Sequence, residues 1–284
     1  MVPLKELQLA PALQEKLQAL ENYIRDLGSI VVAYSGGVDS TLVAAVAQQV
    51  LGDKACAFTV DSPTYAEGET QEAIDFAKDI GIKHTVQYID ELENDEFTAN
   101  TEDRCYVCKK SRFSGLVDWA KEQGIQWILD GSNVDDLGDY RPGMRALSEL
   151  EGIKSPLMDT GFSKPEIRTV AKAMGLKAWD KPSAPCLATR VPYGHTITPE
   201  ALARISKGEH FLRQYTKNNF RVRDHETVAR IEVVAEDFAL FANPDQRKTI
   251  NDYFESLGFH YVCVDLKPFK SGNLNREVTQ TRIR

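Results

Sequence analysis

A glycine pair flanked by serines, in Ser35-Gly36-Gly37-Val38-Asp39-Ser40, has the composition of an anion-binding loop. An apolar run that predicts a strand precedes it, and a run that predicts a helix follows. Glycines let the backbone turn tightly and approach an anion, and amides that open a helix favour negative charge. No lysine follows the glycines as in a Walker loop, and no G-x-G-x-x-G string is present. We therefore predict a phosphate-binding loop; an ordinary glycine turn is the alternative.

Two cysteines, Cys105 and Cys108, form a C-x-x-C pair at the start of a predicted helix. A redox dithiol is one interpretation, although the thioredoxin-like context is absent. A zinc site is a second, and would need Cys186 and a histidine to complete four ligands. A third is an iron–sulfur cluster held by these two cysteines and Cys186, which would leave one iron open to a further ligand. Cys56 and Cys263 lie in apolar runs and read as buried thiols.

Several arginines follow Cys186, which lies in a proline-rich string between residues 181 and 194. Arg221 and Arg223 alternate on a predicted strand and so project from the same face, where paired guanidiniums suit a phosphate. A solvated strand face is the alternative. Arg190 and, on weaker grounds, Lys270 are candidates for the same anionic ligand.

Short apolar strands alternate with helical patterns through the first part of the chain. Strands are predicted at residues 29–34, 55–60, 84–89 and 126–129, with helices at 11–27, 41–51, 69–80, 109–122 and 165–174. Continuous apolar strands between helices of this length indicate a parallel sheet covered on both faces. We therefore predict a doubly wound α/β domain over residues 1–194, interrupted by irregular stretches at 131–163 and 180–194.

The pattern changes near residue 195. A helix at 199–215, strands at 220–223 and 229–234, a helix at 246–257 and a strand at 260–266 predict a smaller α+β domain over residues 195–284. We expect it to bind substrate or to mediate oligomerisation.

Composition restricts the class of protein. The 284 residues include 34 Lys and Arg against 42 Asp and Glu, a formal net charge of −8, which argues against broad nucleic-acid binding. The longest apolar runs are far shorter than a membrane span, and the N-terminus lacks the apolar run of a signal peptide. We expect a cytoplasmic protein with no membrane partner. Five cysteines in such a chain do not indicate a disulfide framework.

The string from Ser35 to Ser40 resembles the SGGxDS loop of the PP-loop ATP pyrophosphatases, which share an adenine nucleotide alpha hydrolase-like fold. The resemblance implies cleavage of ATP between its α and β phosphates, with Mg²⁺ held by the phosphates near Asp39. It also implies that adenine lies near Ala33 and the run Phe58-Thr59-Val60. The string Asp130-Gly131-Ser132-Asn133 resembles the second nucleotide-side loop of the superfamily.

Three further strings resemble one subgroup, the LarE family of sulfur transferases that build the nickel-pincer nucleotide of lactate racemase. They are residues 181–194, 139–143 and 220–223. The resemblance implies that a pyridinium mononucleotide with two carboxylates is adenylated and converted to thiocarboxylates, and that the arginines of 220–223 grip its phosphate. It implies catalytic roles for Cys186 and Asp39, and a homo-oligomer.

Family members of one type give up the sulfur of a single cysteine at the position of Cys186. This chain also has Cys105 and Cys108, which resembles the other type, in which three cysteines bind a [4Fe–4S] cluster that carries sulfide from an external donor. Two other functions stay open: a PP-loop enzyme that thiolates tRNA, and a nucleotide-binding protein that senses iron–sulfur status.

Overall fold

The computed structural model describes residues 1–138, 142–182 and 185–270. Its contacts divide the chain into two compact units. The first comprises Met1–Ser62, Gly68–Ile89 and Cys105–Ala184, and the second comprises Pro63–Glu67, Asp90–Arg104 and Pro185–Arg284. By contacts, the main division falls between Ala184 and Pro185, and two short segments of the N-terminal half belong to the second unit. The domain bounds 1–194 and 195–284 stay a prediction. Part of the 139–143 string lies outside the described residues.

The helices and strands follow in chain order. The helices are α1 (Pro11–Leu27), α2 (Val38–Leu51), α3 (Glu69–Ile80), α4 (Asp95–Thr98), α5 (Arg104–Glu122), α6 (Pro142–Ser148), α7 (Pro156–Asp159), α8 (Lys164–Ala173), α9 (Pro199–Leu212) and α10 (Pro244–Ser256). The strands are β1 (Ile30–Ala33), β2 (Ala55–Asp61), β3 (Lys83–Tyr88), β4 (Trp127–Leu129), β5 (Ile153–Lys154), β6 (Phe220–His225), β7 (Val228–Val233) and β8 (Tyr261–Val264).

A five-stranded sheet in the order β3-β2-β1-β4-β5 forms the centre of the first unit. All four pairings are parallel, which confirms the predicted α/β sheet. The chain moves outward from β1 to β2 and β3, then returns to the other side of β1 at β4. Ligands of such sheets bind at the carboxyl ends of the strands where the order reverses. The loops that follow β1 and β4 therefore meet at the expected place for a nucleotide.

Alternate residues of β1 face opposite layers, as the strand period requires. Ile30 and Val32 belong to an apolar cluster with residues of α1, α2, α3 and α8. Val31 belongs to a second cluster with residues of α5. All three side chains are fully buried. Helices thus cover both faces of the sheet, which explains why the strand lacks polar residues.

The stretch predicted as irregular at 131–163 contains regular structure. It holds α6, α7 and the two-residue strand β5, which pairs with β4 through Ile128 and Leu129. A strand of two residues has no periodicity that a sequence pattern can reveal.

The second unit contains a three-stranded mixed sheet in the order β6-β7-β8. The pair β6–β7 is antiparallel and the pair β7–β8 is parallel. Phe220 and Val222 point from β6 into an apolar cluster that includes Phe254 of α10. Because side chains alternate along a strand, Arg221 and Arg223 project from the opposite face, as predicted from their spacing.

Candidate active site

The loop from Ser35 to Ser40 is braced by its own hydroxyl groups. The Oγ of Ser40 accepts a hydrogen bond from the Ser35 amide at 3.2 Å, donates to the Gly37 carbonyl at 3.2 Å, and lies 3.1 Å from the Ser35 Oγ. The Ser35 Oγ also accepts from the Gly37 amide at 3.3 Å. These bonds hold the turn between β1 and α2 in one shape, so that its amides are directed before any anion arrives.

Two glycines are required by close approach of the chain. Gly36 has φ +70°, and a Cβ there would lie 2.8 Å from the Cβ of Ala73 on α3. A Cβ on Gly131, which follows β4, would lie 3.0 Å from the Ser40 amide nitrogen and 3.2 Å from the Cβ of Asp39. The structure therefore brings Gly131 against the loop that follows β1, although the two are far apart in sequence.

The carboxylate of Asp39 has two partners in the first unit. Its Oδ2 forms an ion pair with the Nζ of Lys164, and its Oδ1 accepts a hydrogen bond from Asn133 Nδ2 at 3.4 Å. The amide of Lys164, at the first position of α8, donates to Asp135 Oδ2 at 2.7 Å. The Lys164 and Asp39 side chains are 36% and 21% exposed, so an incoming ligand can reach both charges.

Lys164 was not among the residues predicted from the sequence. Lysine at the first turn of a helix has no pattern that distinguishes it from a solvated charge, and 125 residues separate it from Asp39. Asn133 lay in the string that resembles a nucleotide-side loop, but its contact with Asp39 was not predicted.

The residues predicted to lie near adenine differ in their exposure. Phe58 and Thr59 are buried. The Thr59 hydroxyl donates to the Tyr34 carbonyl at 2.7 Å and lies 2.7 Å from His84 Nε2, while the Phe58 carbonyl accepts from the Tyr34 amide at 2.8 Å. Ala33 and Val60 are partly exposed. Their role in adenine binding stays a prediction, whereas Phe58 and Thr59 demonstrably hold the end of β1 in place.

Cys105 and Cys108 occupy the first turn of α5 and belong to the first unit. Cys105 is exposed and Cys108 is partly buried. Their spacing of three residues places both thiols on one side of the helix. Of the other two cysteines, Cys56 is buried as predicted. The prediction that Cys263 is buried was wrong: this thiol is exposed, because it lies on β8 at the edge of the three-stranded sheet.

Cys186 belongs to the second unit and is partly buried. It immediately precedes a 3₁₀ turn, Leu187–Arg190. The Cys186 carbonyl accepts hydrogen bonds from the Thr189 hydroxyl at 2.8 Å and from Arg190 Nη1 at 3.1 Å. The backbone beside the thiol is therefore fixed by the residues that follow it.

The guanidinium of Arg190 is engaged by groups of the protein. Its Nε and Nη2 donate to the two carboxylate oxygens of Glu209 at 2.9 and 2.8 Å, and its Nη1 donates to the Pro185 carbonyl at 2.5 Å. Only 4% of Arg190 is exposed. Its binding to substrate stays a prediction. In the structure, its hydrogen bonds connect the Cys186 loop to α9.

The two strand arginines differ in their partners. Arg223 donates to the Thr189 carbonyl at 2.7 Å and to Glu232 Oε2 at 2.8 Å. Arg221 donates to the carbonyl of Phe220 at 2.5 Å and lies over the ring of Phe269, 5.0 Å from its centroid. Within the described residues Arg221 forms no ion pair with a carboxylate.

Arg221 is a buried cation among other cations. Burial, together with the charges of Arg190, Arg223 and Arg213, lowers its pKa to about 10, and Glu209 offsets only part of this. A guanidinium in this position favours the arrival of an anion, because an anion would relieve both the desolvation and the repulsion. Two arginines on one strand face can grip a phosphate.

Lys270 is exposed at the end of the described chain. Across residues 1–138, 142–182 and 185–270, no group of three or more His, Cys, Asp or Glu side chains is arranged to hold a metal ion. In the same part of the chain, no helix combines the length and apolar character that crossing a bilayer requires.

Comparison with known proteins agrees with this geometry. A family model described as NAD synthase matches residues 12–113, a stretch that contains β1, the serine–glycine loop and α2. The uncharacterised protein slr1717 of Synechocystis sp. is 42% identical over 94% of this chain and 100% of its own length.

Two other relatives also span nearly the whole chain. The pyridinium-3,5-bisthiocarboxylic acid mononucleotide synthase of Lactiplantibacillus plantarum is 36% identical over 95% of this chain and 98% of its own length. The uncharacterised protein MJ0830 of Methanocaldococcus jannaschii is 33% identical over 90% of this chain and 98% of its own length.

Proposed function

The chain belongs to the LarE family of ATP-dependent sulfur transferases in the PP-loop superfamily, and we propose that it converts the carboxylates of a pyridinium biscarboxylate mononucleotide to thiocarboxylates. The observation that carries this proposal is the buried guanidinium of Arg221, which forms no ion pair within the described part of the chain and so supports recognition of a phosphate-bearing substrate. The braced loop of the first unit supports the use of ATP.

The first half-reaction activates a carboxylate. A carboxylate oxygen bonds to the α-phosphorus of ATP, the bond between that phosphorus and the bridging oxygen breaks, and pyrophosphate leaves. The amides that open α2 would bind the pyrophosphate. Lys164 would offset its negative charge, and Asp39 would approach the Mg²⁺ that accompanies ATP, since one carboxylate with phosphate oxygens suits that ion.

The second half-reaction forms the carbon–sulfur bond. A sulfur nucleophile bonds to the activated carbonyl carbon, and AMP leaves with the electron pair of the acyl–oxygen bond. Activation is required because a free carboxylate repels an anionic nucleophile and has no good leaving group. In the second unit Arg221 and Arg223 would hold the mononucleotide by its phosphate, so that the protein contributes position and charge rather than acid–base catalysis.

For the sulfur source we propose a [4Fe–4S] cluster bound by Cys105, Cys108 and Cys186. The donor set suits the group, because two thiols are presented by one turn of α5 and cluster ligands are thiolates. When bound, such a cluster would offer sulfide on its open iron. The competing source is the Cys186 sulfur itself. An external sulfide donor and a homo-oligomeric state are part of this proposal.

The proposed reaction is tested by incubating the protein with Mg-ATP, sulfide and pyridinium-3,5-biscarboxylic acid mononucleotide. We expect AMP and pyrophosphate in step with a product heavier by the exchange of oxygen for sulfur. AMP release with tRNA instead would favour tRNA thiolation. ATP retained without AMP formation on any of these substrates would favour a sensor and contradict the proposal.

The cluster is tested separately by iron and acid-labile sulfide analysis of anaerobically purified protein. We expect about four of each per chain, with loss in Cys105→Ala and retention in the matched control Cys263→Ala. Absence of iron and sulfide after reconstitution would overturn the cluster. The mass of the Cys186 peptide after one turnover would then show whether its sulfur is lost.

A further inference from the structure

The loop that follows Cys186 is held by its main chain in the second unit. The Leu187 amide donates to the Thr64 carbonyl at 2.8 Å, and the Thr189 carbonyl accepts from Arg223. Other carbonyls between Ala188 and His195 accept hydrogen bonds from the side chains of Asn100 and Arg104. A loop held at so many points has few conformations open to it.

Asn100 supplies most of these contacts. It is fully buried and has φ +52°, a conformation that asparagine tolerates better than most residues. Its Nδ2 lies 2.7 Å from the Pro192 carbonyl, 3.0 Å from the His195 carbonyl and 3.3 Å from the Val191 carbonyl. Its own carbonyl accepts from the Gly194 amide at 3.0 Å.

Arg104 completes the arrangement. It is among the largest fully buried side chains of the protein. Its Nη1 donates to Asn100 Oδ1 at 2.5 Å and to the Ala188 carbonyl at 3.0 Å, and its guanidinium lies 5.3 Å from the ring centroid of Tyr193. One charged group thus orients the Asn100 amide and binds the loop two residues after Cys186.

Asn100 and Arg104 are polar side chains buried where apolar side chains would cost less free energy. Burying a guanidinium costs several kcal/mol before its hydrogen bonds are counted, and apolar residues often stabilise a core as well. The hydrogen bonds of Asn100 and Arg104 are directed at carbonyls of the loop 188–195. Buried polar networks of this kind fix a single geometry, which a reacting group requires.

We propose that Asn100 and Arg104 are positioning residues that hold the Cys186 thiol in its reactive place. This inference rests on the proposed function for the role of Cys186, but the rigidity it asserts can be measured without ATP, substrate or iron. Neither residue touches the reacting atoms, and both act through the backbone of residues 187–195.

The test uses the full-length protein and two variants, Arg104→Met and Asn100→Asp. Arg104→Met keeps the length of the side chain but removes its donors, and Asn100→Asp keeps the shape but removes the Nδ2 donors. Arg104→Lys tests rescue. The matched control is Arg247→Met, because Arg247 belongs to the same unit and its exposed side chain donates to the Phe241 carbonyl, away from the Cys186 loop.

Two readouts follow the loop. The first is hydrogen exchange of the Leu187 and Gly194 amides, which donate to the Thr64 and Asn100 carbonyls. The second is the alkylation rate of Cys186 after iron chelation, measured by peptide mass relative to the exposed Cys263. In both variants we expect each rate to rise by at least about tenfold, since one charge-assisted hydrogen bond alters an opening equilibrium by that order. Arg104→Lys should recover part of the loss, and the control should match wild type.

The outcomes separate the possibilities. Unchanged exchange and alkylation in both variants would overturn the positioning role. An equal loss of protection in β6 and β7 would also overturn it, because the pair would then stabilise the whole unit. Failure of the wild-type protein to form a thiocarboxylate would overturn the proposed function. It would not change the rates of hydrogen exchange and of Cys186 alkylation, which are measured without substrate.

Discussion

Lys164 and Asp39 form an ion pair that joins the first turn of α8 to the first turn of α2, across 125 residues of sequence. The contact places a cation beside the loop that we propose binds pyrophosphate. Asn133 adds a third group from the loop after β4. Three segments of the first unit therefore meet at the Asp39 carboxylate, and a substitution in each can be tested for its effect on ATP cleavage.

Removing the Lys164 ammonium should impair pyrophosphate release. For Lys164→Met we expect kcat to fall about 100-fold, since a preorganised charge aimed at a leaving group contributes on that scale. Stability should change by less than about 1 kcal/mol, because the pair is partly exposed. The control is Lys172→Met on the same helix, where the ammonium lies over Trp179. Equal activity of the two variants would contradict the role of Lys164.

A methyl group on Gly131 should disturb the ATP site. The added Cβ of Gly131→Ala would lie 3.0 Å from the Ser40 amide nitrogen, so the loop must shift. We expect the KM for ATP to rise at least about tenfold, an energy of roughly 1–3 kcal/mol typical of overpacking. Gly115→Ala on α5 is the matched control, because nothing lies within 4 Å of its Cβ.

In that control the helix should gain about 1 kcal/mol of stability with no change in KM, because alanine favours a helix more than glycine does. Substrate titration of pyrophosphate release, together with thermal unfolding, measures both effects. A KM for Gly131→Ala equal to that of the wild type would show that the loop tolerates the displacement.

Removing Arg221 should weaken substrate binding without weakening the fold. For Arg221→Met we expect the KM for the mononucleotide to rise roughly 10- to 100-fold, the cost of losing charge-assisted hydrogen bonds, while the KM for ATP stays constant. The unfolding free energy should hold or increase, because the variant removes a buried cation that other arginines repel.

The mononucleotide should raise the melting temperature of the wild type more than that of Arg221→Met. Arg247→Met controls for the loss of any arginine in this unit. A marked drop in the stability of Arg221→Met in ligand-free buffer would show that Arg221 is structural.

His84 should make the first unit sensitive to acid. Burial lowers its pKa. The Thr59 hydroxyl donates its one hydrogen bond to the Tyr34 carbonyl. The hydrogen bond between Thr59 and His84 must therefore be donated by His84 Nε2. The unfolded chain therefore takes up the proton more readily, and stability falls as pH drops below about 6.5 until it reaches the folded pKa.

The non-titrating variant His84→Gln isolates this contribution. Denaturant unfolding between pH 7 and 5 should show the wild type losing stability relative to the variant, at up to about 1.4 kcal/mol per pH unit. Curves that run parallel across this range would mean that His84 does not carry the effect.

Local patterns account for the parts of the fold that were predicted correctly. The apolar run of β1, the glycine pair and the helix that follows are all encoded within about 20 residues. The alternation that separates Arg221 from Val222 is a property of any strand. The C-x-x-C spacing likewise placed Cys105 and Cys108 on one helical turn.

Partners distant in the chain could not be predicted in this way. Arg190 and Arg221 have the same side chain, yet Arg190 forms an ion pair with Glu209, whereas Arg221 forms none within the described residues. Which arginine remains available to an anion depends on where α9 packs against β6. That packing involves contacts between segments whose order in the sequence does not reveal their neighbours.

By itself, then, the sequence determined most of the element types, the glycine loop between β1 and α2, and the family, because these depend on residue types at short spacing. Only the tertiary structure decided that Lys164 meets Asp39, that Gly131 closes on Ser40, and that Asn100 and Arg104 hold the Cys186 loop. The physical reason is that charge pairing and close approach act through space, over distances that the chain covers only after it has folded.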